Sequence, residues 1–261
     1  MQRRFPVKHP TSDLFLNVPT CDVGTFFVYS LIMDIYHVLS RGVDKRKIFL
    51  NNRDYFRFIH NLFEFNNSDL VSTSLRRGFN QCLDIARRDI GLERRVKRKL
   101  LVDIHAFCLM PNHYHLLLSP RIKDGIPRFM KKLNMGYAKY FNIKNERKGT
   151  LFESRYKSIL IENENHFMYL PHYIHLNPLD LYMPEWREGK LRSFTGAMKF
   201  LENYRWSSFP DYIGQNNFPS VTSRSFLLDV FGGNDKYKSR IQEFLNELDL
   251  ENIVPSDLLL E

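Results

Sequence analysis

Two histidines stand two residues apart in Met110-Pro-Asn-His-Tyr-His-Leu-Leu-Leu118, and an apolar run follows them. On a β-strand, side chains alternate between faces, so His113 and His115 point to one side and Tyr114 to the other. Paired imidazoles on one strand face are ready ligands for a metal ion. A second group lies in Leu170-Pro-His-Tyr-Ile-His-Leu-Asn-Pro-Leu179. Tyr173 and Asn177 are four apart and share a helical face. The Asn177 carboxamide oxygen supplies a third, hard ligand, and Tyr173 sits one turn from the ion. Such a site can hold a phosphodiester by its nonbridging oxygens and offset the charge that develops when phosphorus is attacked. A tyrosine hydroxyl there can be the attacking group and form a covalent phosphotyrosine. A free tyrosine titrates near pH 10, roughly, so it needs an activator. Singly, these parts are weak signals: a His-x-His in a strand is more often structural, and a Tyr with Asn four residues on is commonplace.

The elements that must position these groups can be read from periodicity. Residues 35–40 alternate as a first strand, ended by Gly42. Residues 51–65 read as a helix with Asn52 as N-cap and apolar Phe56, Phe58, Ile59, Leu62 and Phe63. Residues 100–110 form a second strand, Pro111-Asn112 a turn, and residues 113–119 a third strand. Gly125 to Asn142 is the clearest helix, with Ile126, Phe129, Met130, Leu133 and Tyr137 at helical spacing. Residues 152–161 read as a fourth strand. A helix over residues 163–177 ends at Pro178. Strand, helix, strand, strand, helix, strand is the split βαβ order, so the fold class is α+β: a ferredoxin-like, four-stranded antiparallel sheet with helices on one face. Residues 1–32 form an N-terminal extension outside the domain, and Met33 could be the start codon. The domain spans residues 33–215 with a basic insert at 67–98. Residues 216–261 are a helical C-terminal extension.

The chain of 261 residues carries a net charge of +9 and a pI near 9.4. That excess suggests a polyanionic partner, with nucleic acid the usual one. Most of it lies in one stretch: Arg76, Arg77, Arg87, Arg88, Arg94, Arg95, Lys97, Arg98 and Lys99 stand against three acids, a local charge of +6. These residues are candidate DNA contacts, although a charge run can equally be a solvated helix face. Arg155 and Lys157, two apart on the fourth strand, could face phosphate together. No apolar run approaches the roughly 18–20 residues that span a bilayer, and no signal peptide is evident. Scattered Cys21, Cys82 and Cys108 fit a reducing cytoplasm better than a disulfide framework.

Five blocks carry a resemblance: Tyr36-His-Val-Leu-Ser-Arg-Gly42, Phe107-Cys-Leu-Met-Pro-Asn-His-Tyr-His-Leu-Leu-Leu118, Phe152-Glu-Ser-Arg-Tyr-Lys157, Tyr173-Ile-His-Leu-Asn-Pro178 and Trp206-Ser-Ser208. In this order they resemble the single-tyrosine HUH transposases, most closely the REP-associated tyrosine transposase branch. The resemblance implies that His113 and His115 are the HUH metal ligands, Asn177 the third ligand and Tyr173 the nucleophile. It implies Mg2+ or Mn2+ and single-stranded DNA with hairpin or inverted-repeat structure. Cleavage would leave a 5′-phosphotyrosine link and a free 3′-hydroxyl, and the protein would act as a monomer or homodimer. Pro171 departs from an uninterrupted helix and could alter how Tyr173 approaches the ion.

Other residues compete for roles. Tyr156 is an alternative nucleophile. His105 reads as packing, while His172 and His175 point away from the face of Tyr173, toward surface or DNA. Two functional rivals stand beside the strand transferase: a non-catalytic single-strand nucleic-acid binder, and a metal-dependent nuclease in which water attacks.

Overall fold

In the computed structural model the chain is described over residues 33–68 and 98–251, with side chains up to residue 246. Arg76, Arg77, Arg87, Arg88, Arg94, Arg95 and Lys97 lie outside the described residues, as does the 1–32 extension.

Four strands form one sheet: β1 (Tyr36–Arg41), β2 (Val102–Met110), β3 (His113–Pro120) and β4 (Lys157–Leu160). Their order is β2-β3-β1-β4, and every neighbouring pair is antiparallel. Helix α1 (Asn52–Phe65) connects β1 to β2, and α2 (Gly125–Lys144) connects β3 to β4. This is the ferredoxin-like split βαβ arrangement. β4 is shorter than the sequence pattern predicts, because residues 153–155 bend and only Phe152 bridges back to Gly42. Arg155 therefore lies in a bend, where strand alternation does not govern its direction. The N-cap of α1 is Asn51, one residue before the expected Asn52.

Strand alternation sorts the sheet into two faces, each with its own core. Val38, Phe107, Leu109, Tyr114, Leu116 and Leu118 meet the α1/α2 pair, where Phe58, Ile59, Leu62, Phe129, Leu133 and Tyr137 are buried. Each such side chain contributes about 1.5–3 kcal/mol on burial. Gly136 lets α2 approach the Phe65 ring: a Cβ there would stand 2.3 Å from Phe65 Cε2. Asp54, fully buried, fastens α1 to α2 by accepting from Tyr140 Oη at 2.9 Å and Lys144 Nζ at 2.5 Å.

On the other face Ala106, Cys108, Met110 and Leu117 pack under α3 (Glu164–Leu176). The Asn163 side chain caps α3 by accepting from the amides of Asn165 and His166. Around α3 gather Trp186, α4 (Phe194–Asn203), α5 (Phe209–Tyr212), α6 (Ser225–Phe231) and α7 (Asn234–Glu251). The expected ferredoxin-like helix pair covers one face, and the later helices add a layer on the opposite one. Phe226, Leu227, Phe231, Tyr237, Ile241 and Leu245 are buried in this second core. The C-terminal helices are thus integral to the domain core.

β2 is an edge strand, and residues 204–208 cover it. Leu109 N donates to Trp206 O, Ser208 N donates to Phe107 O, and Tyr204 Oη donates to Leu109 O. Pairing the exposed edge in this way removes a site of unwanted strand addition.

Candidate active site

His113 and His115 lie on the second face of β3, as alternation predicts, with Tyr114 on the first. Register sets Leu39 beside His115 and Arg41 beside His113. His37, two residues from Leu39, therefore shares their face. Its Nε2 is joined to His115 Nδ1 by a 2.9 Å hydrogen bond, and the two rings stack with centroids 5.2 Å apart. His113 Nδ1 is bonded to Asn112 Oδ1 at 2.7 Å. In both residues Nδ1 is held by a neighbour, which directs Nε2 to any ligand. The two rings are 5.0 Å apart, edge to face. Burial keeps all three imidazoles neutral. It lowers His37 to about 3, with the charge of His166 adding to the effect. It lowers His113 to about 4, with further depression by Arg41. His115 lies well below its ordinary value, through burial and then the charges of His113, His37, Arg187 and Arg41. Neutral imidazole is the form that binds a metal.

α3 delivers Tyr173 to this face. The helix runs continuously through Pro171, and the Tyr173 ring meets His115 at 5.8 Å and His37 at 6.3 Å, edge-on to both. Tyr173 is fully buried. Tyr156 packs instead against the α1/α2 core, on the opposite face of the sheet from the histidines. That placement sets it apart from the histidine pair.

Asn177 follows α3 in a 3-10 turn (Asn177–Leu181). Its Nδ2 donates to Tyr173 O at 2.8 Å, and its Oδ1 accepts from Arg187 Nη2 at 3.1 Å. Arg187 also forks onto Asp180: Nε donates to Oδ1 at 2.8 Å and Nη2 to Oδ2 at 2.8 Å. Trp186 Nε1 donates to Asp180 Oδ1 at 2.6 Å. The guanidinium carbon lies 5.3 Å from the Tyr173 ring centre. Burial opposes the Arg187 charge, but the hydrogen bonds and charge of Asp180, with those of Tyr173, outweigh it and raise its affinity for the proton.

Sequence reasoning assigned no role to His37, Arg41, Asp180 or Arg187. His37 and Arg41 were legible: both lie in the first strand at the alternation that faces the His pair. Asp180 and Arg187 had no such signal, because a 3-10 turn has no long periodicity.

His172 and His175 depart from expectation. They are buried, not at the surface, because α7 and α5 cover the back of α3. His175 bonds Tyr237 Oη through Nδ1 and Ser208 Oγ through Nε2, each at 2.7 Å, and His172 Nδ1 donates to Met168 O. His105 is also internal, bonded to Ser119 Oγ at 2.8 Å. These histidines tie elements together within the core.

Of the basic candidates that are described, Arg98 is used internally. It donates to the carbonyls of Phe63 and Asn66 and lies 3.8 Å over the Phe63 ring. Lys99 is exposed. Lys157 is exposed on edge strand β4 and stands in the same cross-strand row as Leu39 and His115. Two strand spacings, about 10 Å, separate its backbone from that of His115. Arg155 is exposed in the preceding bend.

The site's donors suit a divalent ion. The two Nε2 atoms are oriented by partners on Nδ1, the arrangement usual for metal-bound histidines. Among the described residues no three His, Cys, Asp or Glu side chains form a metal cluster; the Asn177 carboxamide is the third ligand that the sequence reading names. Asn177 Oδ1 has two lone pairs and can accept from Arg187 while keeping one for a metal.

Comparison with known proteins gives a family model that matches part of the chain. Residues 70–177 match the family model described as "Transposase IS200 like". The match contains His113, His115, Tyr173 and Asn177. A solved structure described as the REP-associated tyrosine transposase bound to a REP hairpin aligns with 74% of this chain and 87% of its own, at 13% identity and a TM-score of 0.40. No curated protein matches the chain. Among the described residues no helix is long and apolar enough to cross a membrane.

Proposed function

We infer that this chain, whose residues 70–177 match the model described as "Transposase IS200 like", cleaves and transfers single-stranded DNA through Tyr173. The observation that carries this is the placement of the Tyr173 ring against His115 and His37, on the sheet face that also presents His113. His113 and His115 through Nε2, and Asn177 through Oδ1, would hold Mg2+ or Mn2+. That ion supplies charge to neutralise the nonbridging oxygens of a scissile phosphate.

The remaining chemistry belongs to the chain. Tyr173 Oη forms a bond to phosphorus while the bond from phosphorus to the 3′-oxygen breaks. The electron pair leaves on the 3′-oxygen, which takes up a proton as the phenol loses one. A 5′-phosphotyrosine and a free 3′-hydroxyl result; a second 3′-hydroxyl then attacks the phosphotyrosine, the bond from phosphorus to Tyr173 Oη breaks, and the phenol regains the proton that the hydroxyl loses, which completes strand transfer. Asp180 and Arg187 brace the site, since Arg187, from the following 3-10 turn, donates to both Asn177 and Asp180 in the turn after α3. The net charge of +9 suits a nucleic-acid substrate. Lys157, at the sheet edge in the His115 row, suits a strand laid across the face. Hairpin-forming DNA is the proposed substrate class.

The test is incubation with Mn2+ and a single-stranded hairpin oligonucleotide from the gene's own flanks, followed by denaturing electrophoresis. Wild type forms a covalent protein–DNA adduct and Tyr173→Phe forms none. Cleavage that survives Tyr173→Phe assigns the attack to water. Tight binding without cleavage, unaffected when His113 and His115 become Ala, makes the protein a binder.

A further inference from the structure

Arg41 ends β1 directly beside His113 in the sheet register, on the face of His37, His113 and His115. Its side chain is half-buried, and its Nε is shut off from solvent with no hydrogen-bond partner among the described residues. The nearby Asp44 pairs instead with Arg46. The contrast with Arg187 is instructive. Both guanidiniums act electrostatically on His113 and His115, yet Arg187 is committed to Asp180 and Asn177. A buried donor left without an acceptor is costly and persists where a ligand completes it. A fork of N–H groups at the rim of a phosphodiester site matches two phosphate oxygens.

We propose that Arg41 is a further catalytic residue, whose guanidinium hydrogen-bonds a nonbridging oxygen of the scissile phosphate and stabilises the charge that builds there as Tyr173 attacks. The proposal rests on the transposase reading above. Arg41 supplies no electron pair or proton. It holds the phosphoryl oxygens while the bond from Tyr173 Oη forms and the bond to the 3′-oxygen breaks. Its direction follows from strand geometry: residues 37, 39 and 41 share one face, and residue 41 is the one that reaches the end of the sheet where β2 turns into β3.

The experiment measures single-turnover adduct formation with Mn2+ and the hairpin oligonucleotide for wild type, Arg41→Ala and Arg41→Lys. Calorimetric Mn2+ affinity and the thermal midpoint are measured on the same proteins without DNA. Removing one transition-state donor lowers the adduct rate about 100- to 1,000-fold. Mn2+ affinity does not fall below wild type, the midpoint holds, Arg41→Lys recovers part of the rate, and added methylguanidinium partly rescues Arg41→Ala. If Arg41→Ala does not fold, Arg41→Lys and Arg41→Gln carry the comparison. An Arg41→Ala adduct rate within a factor of about three of wild type overturns the proposal, the expected loss being far larger. So does a loss of Mn2+ affinity that parallels the loss of rate, because Arg41 would then act through the metal site. A wild-type protein that forms no adduct overturns the transposase reading itself, and with it this role.

Discussion

His37 offers the sharpest test of how the site is held. It is almost fully buried, stacks on His115 at an interplanar angle of 19°, and is joined to it through Nε2 and Nδ1 at 2.9 Å. If His115 Nε2 is to bind an ion, the His115 proton must sit on Nδ1, where His37 Nε2 accepts it. Replacing His37 with alanine removes the group that fixes both tautomer and ring orientation. Losing such a partner typically weakens metal binding by about 10- to 100-fold, or about 1.4–2.7 kcal/mol at about 1.4 kcal/mol per decade. The orphaned His115 N–H costs folding stability as well, about 1–3 kcal/mol. At about 2–4 °C per kcal/mol for a domain of this size, the melting midpoint falls by several degrees. The assay is calorimetric titration with Mn2+ of wild type, His37→Ala and His37→Gln. The glutamine amide oxygen can accept the same N–H, so His37→Gln should keep most of the affinity. His37→Ala binding Mn2+ like wild type, while His115→Ala loses binding, would show that this hydrogen bond does not orient the ligand.

Three further outcomes follow from particular contacts. Arg187→Ala strips Asp180 of its fork and Asn177 Oδ1 of its donor; it should cost about 1–3 kcal/mol in urea unfolding, and Arg187→Lys, lacking the planar fork, should recover only part. Equal midpoints for wild type and Arg187→Ala would contradict this. Gly136→Ala forces a Cβ into the Phe65 ring and should destabilise by about 1–3 kcal/mol; a neutral result would mean that α1 and α2 separate freely. Burial lowers His37 to about 3 and His105 and His172 to about 4, against about 6.5 when unfolded. The unfolded chain therefore binds more protons than the folded one between these values. Stability is complete above about pH 6.5 and lost as pH falls toward about 4, with a slope approaching 1.4 kcal/mol per pH unit, roughly, for each such histidine. Melting midpoints at pH 7.5, 6 and 5 should fall steadily, and His105→Asn should flatten the curve; an unchanged midpoint down to pH 5 would refute it.

What was legible in the chain divides along physical lines. The sheet could be read because its strands alternate and its connecting helices repeat every three to four residues: β3 and α2 begin at the expected residues, His113 and Gly125, and the face of His113 and His115 follows from β3 alone. The second layer could not be read that way. α3 has few polar positions because α4 to α7 enclose it, so His172 and His175 look like surface residues when judged by their angle to Tyr173 alone. Their ring nitrogens are satisfied by Met168, Tyr237 and Ser208, contacts up to 62 residues apart that no local pattern announces. The same enclosure explains Arg187. A guanidinium eleven positions beyond the end of α3 reaches Asn177 because the 3-10 turns at Asn177–Leu181 and Pro184–Glu188 double the chain back, and Trp186 anchors that fold by burying its ring and bonding Asp180. The electrostatic consequence matters most for function. Two guanidiniums and one carboxylate surround imidazoles that burial keeps neutral, which leaves the cluster positive before any metal arrives. A surplus of positive charge disfavours a bare cation and favours an anion. A metal ion and a phosphate that enter together satisfy both, so Mn2+ should bind more tightly in the presence of the hairpin DNA than in its absence.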